Sequence, residues 1–181
     1  MAATYTAIAT GVTHSTSNKI YLQIFNQSTS GVTIKIYRIW LLNAQGANAT
    51  GILLTSPIIL AGISTAASVG SPTTITPIKH DTNSATLSNV TINSGNTTNG
   101  TLVNSFRRMM FSTDEPATGT FKLDNLYAMP NLALFWDCGY GDTNHEPLTL
   151  PSGSNSGIQI YSAGTASAAG NVDVIVEFTA A

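Results

Sequence analysis

The chain has 181 residues, 43% of them hydrophobic and only 9% charged, with a formal net charge of −2. That length supports one sizeable core rather than two ordinary domains. A soluble domain usually carries about 25% charged residues; here Thr, Ser, Asn and Gly take their place, which leaves a polar, nearly neutral exterior and excludes the basic field that nonspecific nucleic-acid binding needs.

Taken in chain order, residues 1–18 ("MAATYTAIATGVTHSTSN") are small and polar with weak apolar alternation. They read as an extended N-terminal arm. The start lacks a basic n-region and an apolar h-region, so no secretory signal is expected. "KIYLQIFN" (19–26) sets Ile20, Leu22 and Ile24 on one face, and "GVTIKIYRIWLL" (31–42) alternates before turning apolar on both faces. Both read as strands. No charge falls between Arg38 and Lys79, but the apolar core of that stretch, "GILLTSPIILAGI", is 13 residues long and split by Pro57. A membrane span needs about 20 such residues, so no membrane segment is expected.

Further strand candidates follow at "TTITPIK", "ATLSNVTI", "SFRRMMFS", "TFKLDNL", "NLALFWD", "PLTL" and "GIQIYS", separated by Gly, Asn, Ser or Pro clusters. Residues 93–104 ("NSGNTTNGTLVN") read as a long exposed loop. The best helical signal is a single turn near 112–117 ("STDEPA"). Leu148, Leu150, Ile158 and Ile160 flank a Ser/Gly/Asn connector and read as a hairpin with its apolar side inward. "NVDVIVEFT" (171–179) shows the cleanest alternation in the chain. Nine to eleven short strands at this spacing predict an all-β antiparallel β-sandwich. Among sandwiches the eight-stranded jelly roll fits the length best, with a barrel as the competing fold. The predicted organisation is an arm over 1–18 and a single sandwich domain over 19–181.

Reactive residues are sparse. Asp137, Asp142 and Glu146 stand in "DCGYGDTNHE" (137–146) and could offer hard oxygen ligands to calcium. The alternate-position acidic pattern of an EF-hand is missing, and a polar inter-strand loop is the preferred reading. Cys138 is the one cysteine; a nucleophile there would need His145 beside it, while Asp137 and Asp142 would raise the thiol pKa. His14, His80 and His145 are too scattered for a His-x-His metal site, and His80–Asp81 reads as a strand-end turn with Asp81 bonding its own backbone. The five Asn-x-Ser/Thr sequons are close to the number so Asn-, Ser- and Thr-rich a chain yields by chance. No catalytic residue and no cofactor is expected.

Arg107 and Arg108 hold nearly a third of the positive charge. On a strand they point to opposite faces, so one of them shares a face with Phe106 and Met110. That guanidinium needs either an internal partner (Asp114, Glu115 or Asp124) or a place at an interface with another subunit, for which arginine is suited.

The "TPIKHDTNSATLSN" centre, the unprocessed start and the "EPLTLPSGSNSGIQIYSAG…NVDVIVEFTAA" ending resemble the small jelly-roll proteins of tailed-phage virions, of the head decoration or cement type. The resemblance implies a non-enzymatic, often trimeric protein on the outer surface of a capsid, bound to the major capsid protein and to its own copies, with no nucleic-acid or membrane partner. A tail receptor-binding or carbohydrate-binding β-sandwich module is the alternative.

Overall fold

The structure, a computed structural model, describes residues 2–13, 18–43, 57–109, 132–138, 146–163 and 171–181. Their regular elements are all strands: β1 (Ala3–Thr13), β2 (Ile20–Asn26), β3 (Ile34–Asn43), β4 (Ile58–Ile63), β5 (Ser68–Thr74), β6 (Ile78–Lys79), β7 (Val90–Thr98), β8 (Leu102–Met109), β9 (Leu132–Asp137), β10 (Leu148–Leu150), β11 (Ser156–Ser162) and β12 (Asn171–Ala180). The expected turn at 112–117 and strand at 120–126 lie outside the described residues.

The strands form two six-stranded antiparallel sheets. In the first, β3, β12, β1 and β6 lie side by side, with β9 and β10 successively covering the free edge of β3. The second runs β5-β7-β2-β11-β4-β8. Set aside β5 to β7, an insertion between β4 and β8, and each sheet reduces to four neighbours: β1-β12-β3-β9/β10 and β2-β11-β4-β8. The chain alternates between these sheets except at β4 and β8, which gives the jelly-roll order. The last two strands each sit in the middle of a sheet, which closes the sandwich.

The core follows from the pleat. Val172, Val174, Val176 and Phe178 of β12 are buried, and the residues between them are half-exposed. Across the interior lie Leu22 and Ile24 of β2, Ile58 and Leu60 of β4, and Ile158 and Ile160 of β11. Tyr5 stacks on Phe178 with ring centroids 5.5 Å apart. Each such large side chain contributes about 1.5–3 kcal/mol by leaving water.

Three expectations are corrected. Residues 1–18 are not a peripheral arm: β1 pairs with β12 from Ala3↔Ala180 to Thr13↔Asn171 and buries Tyr5, Ala7, Ala9 and Val12. Alanine on the inner face lowers the contrast between inside and outside, so the alternation looked weak. The sandwich therefore begins with β1, not at residue 19. A bulge at Thr10–Gly11, with Gly11 at φ 61°, bends this strand; the Gly11 N–H donates to Asp173 Oδ1 at 2.6 Å.

Residues 93–104 are not a long loop, because β7 and β8 run through them and leave only 99–101 between. And 148–162 is not a hairpin. Leu150, Ile158 and Ile160 are buried and Leu148 packs against the core, as expected, but β10 pairs with β3 while β11 pairs with β2 and β4. The polar connector carries the chain from one sheet to the other.

Candidate interaction surface

The sequence-predicted residues do not converge. Asp137 ends β9 and pairs with Arg38, Oδ1 to Nε 3.9 Å, while Glu146 is exposed just before β10. Asp142, His145 and His14 lie outside the described residues. Among the described residues, no group of three His, Cys, Asp or Glu side chains could hold a metal ion. Burial, and then the Asp137 charge, push the Cys138 thiol above its usual range. Both effects disfavour a thiolate, the form a nucleophile requires. Asp81 accepts from the Asn83 N–H at 2.9 Å, the expected Asx turn, and His80 Nε2 lies 2.7 Å from the Thr6 hydroxyl.

Two of the cavities among the described residues flank the sandwich. One of about 630 Å³ lies under the 80–88 segment beside β1 and is lined by Tyr5, His80, Ser84 and Leu87; the Tyr5 hydroxyl donates there to the Ala85 carbonyl at 2.7 Å. The other, about 490 Å³, opens between the sheets near β8 and β10 and is lined by Ile63, Val103, Phe106, Leu148 and Ile158, with Glu146 at its side.

That second cavity adjoins the most unusual edge of the molecule. β8 is a sheet-edge strand, exposed along seven of its eight residues. It presents Leu102 (46% exposed), Val103 (61%) and Phe106 (40%) to solvent. Bulges opposite Leu60/Ala61 and Gly62/Ile63 twist it away from regular pairing, a common guard against edge-to-edge addition. Arg107 stands opposite Leu60, on the inner side of the sheet, and Arg108 opposite Ile59, on the outer side. The expected opposite orientations therefore hold. Both arginines are exposed, and among the described residues no strand lies beyond β8. Asp114, Glu115 and Asp124 lie outside the described residues. The Tyr161 hydroxyl, raised by burial, is pulled partly back by the Arg108 charge.

The outer face of the first sheet carries a feature that strand-by-strand reading missed. Ile8 stands opposite Ile175, Ile175 opposite Trp40, and Trp40 opposite Leu134, so four strands contribute one apolar row. The next row alternates in charge: Glu177 opposite Arg38, and Arg38 opposite Asp137. Arg38 lies 3.9 Å from both carboxylates. No single strand shows this. Ile175 is one apolar residue between Asp173 and Glu177, and only the register lines it up with Trp40.

No family model and no curated protein matches the chain. Among solved structures it is similar to a chain in the three-dimensional structure of Cocksfoot mottle virus, at 8% identity, over 97% of this chain and 80% of that chain, with a TM-score of 0.25. A superposition that loose is no basis for shared function.

Proposed function

We propose that this chain is a non-enzymatic structural protein of a virus particle, a capsid decoration or cement protein that docks on the head lattice through its β8 edge. The observation that carries the reading is that edge. Leu102, Val103 and Phe106 are exposed on it beside two arginines, and aromatic residues and arginine are the types enriched at protein interfaces. The partner is the major capsid protein, together with further copies of this chain, on the outer surface of the virion. Neither nucleic acid nor membrane is a partner, in keeping with the net charge of −2.

A lattice repeats each contact many times, so modest interfaces suffice. The short hydroxyl and amide side chains that replace Lys and Glu lose little rotamer entropy when covered. The test is cosedimentation of the full chain with virus particles. The native chain sediments with heads at a fixed number of copies per capsomer. Arg107→Glu with Arg108→Glu weakens that binding by about 10-fold or more and leaves the melting temperature unchanged. Equal binding by the double variant would remove the β8 edge from the interface, and failure of the native chain to bind particles would overturn the virion reading.

A further inference from the structure

We propose that the outer face of the first sheet pairs with the same face of a second copy, about a two-fold axis lying parallel to the strands between β12 and β3. The row Ile8–Ile175–Trp40–Leu134 crosses four adjacent strands, and Leu134 is 47% exposed. An apolar row of this width is the inner-face pattern of a stacked pair of sheets, which pack about 10 Å apart with strands nearly aligned.

The charges select the occupant and the axis. A two-fold axis parallel to the strands brings β12 of one copy over β3 of the other. Trp40 then faces Ile175, Leu134 faces Ile8, and Arg38 faces Glu177, each contact occurring twice, as an isologous interface requires. Asp137 meets Thr6, so no like charges are juxtaposed. An axis along the apolar row instead sets Glu177 against Asp173 and Arg38 against Leu42, and so opposes acid to acid. The sheet face is complementary to itself in one orientation.

This contact is separate from the β8 edge, and its test needs no particles. Sedimentation of the isolated full chain over about 1–100 µM shows a concentration-dependent monomer–dimer equilibrium. Leu134→Glu, at an exposed position, raises the dissociation constant about 10-fold or more. The decisive measurement is a charge exchange. Arg38→Glu alone gives two carboxylates across the axis, and Glu177→Arg alone gives two guanidiniums, so each variant is monomeric. When the two variants are mixed, both charge contacts across the axis again join a carboxylate to a guanidinium, so a mixed dimer forms. If Arg38 and Glu177 interact only within one chain, mixing restores nothing, and that result overturns the proposal. A native chain that stays monomeric, or that forms trimers, overturns it as well.

Discussion

The two outer faces of the sandwich reverse the usual rule. On the second sheet, the central row is Gln23–Gln159–Ala61, and it is fully buried. On the first, the central row is Ile8–Ile175–Trp40–Leu134, and it is partly open to solvent. The polar row is covered because it offers acceptors to backbone that must cross it. Gln23 Oε1 accepts from the Ala67 N–H at 2.8 Å, and Gln159 Oε1 from the Gly100 N–H at 3.0 Å. Asn96 Nδ2 donates to the Ala67 carbonyl at 3.3 Å and to Asn93 Oδ1 at 2.9 Å. The crossing segments, 64–67 and 99–101, then roof a small second core of Ile20, Ile59, Ala61, Ala67 and Tyr161. A loop cannot lie on a purely apolar face without orphaning its amides. Two glutamines make one face a floor for loops, whereas the first sheet's apolar row offers no side-chain acceptor to a crossing amide.

The largest expected effect is on the roofed side. A Cβ at Gly100 would collide with the Thr65 carbonyl oxygen and come within 3.2 Å of Ile63, so Gly100→Ala must displace backbone. We expect a loss of about 3 kcal/mol in urea unfolding, at the upper end of overpacking costs. A change below about 0.5 kcal/mol would mean that the roof is loose and the contrast between the faces false. Gln159→Leu comes next. It keeps the volume but strips the acceptor from a buried N–H, for which a cost of about 1–3 kcal/mol is typical. The lower half of that range applies, because Gln159 Nε2 has no hydrogen-bond partner among the described residues and its desolvation already weakens the native state. An unchanged denaturation midpoint for Gln159→Leu would show that the carboxamide does not hold the loop.

The same contrast explains what the sequence disclosed. β12 was legible because Val and Phe alternate with Asp, Glu and Thr, so its period of two is strong. β2, β4 and β11 are buried on both faces, and such strands read as near-continuous apolar runs; the single face expected for Ile20, Leu22 and Ile24 does not hold, because Leu22 and Ile24 lie in the main core while Ile20 packs with Ile59 and Tyr161 in the second one, across a register irregularity. The signal for their second face was present: "YLQIF" and "GIQIY" each place one glutamine inside an apolar run. Its meaning depends on Gln23 and Gln159 standing side by side, which is a fact of register. β1 was misread because two of its four core positions are alanines. The β8 site was half legible. The Arg107–Arg108 pair marked it, but the place of β8 in the sheet order is something sequence periodicity does not encode.

The smallest expected effect tests the open face. Ile8→Thr keeps a β-branched side chain, and with it the strand preference, while removing apolar surface. On a fully covered face, losing an isoleucine side chain costs on the order of 2–5 kcal/mol. On a face that its own chain leaves open, substitutions stay within about 0.5 kcal/mol. Because Ile8 is half-buried between its neighbours on β12 and β1, we expect about 0.5 kcal/mol in thermal or urea unfolding below about 1 µM, where copies are apart. The penalty should grow as concentration rises, since stability then includes whatever the face binds. A loss of about 2 kcal/mol that is independent of concentration would mean that the chain covers this row itself, and the difference between the two faces would vanish.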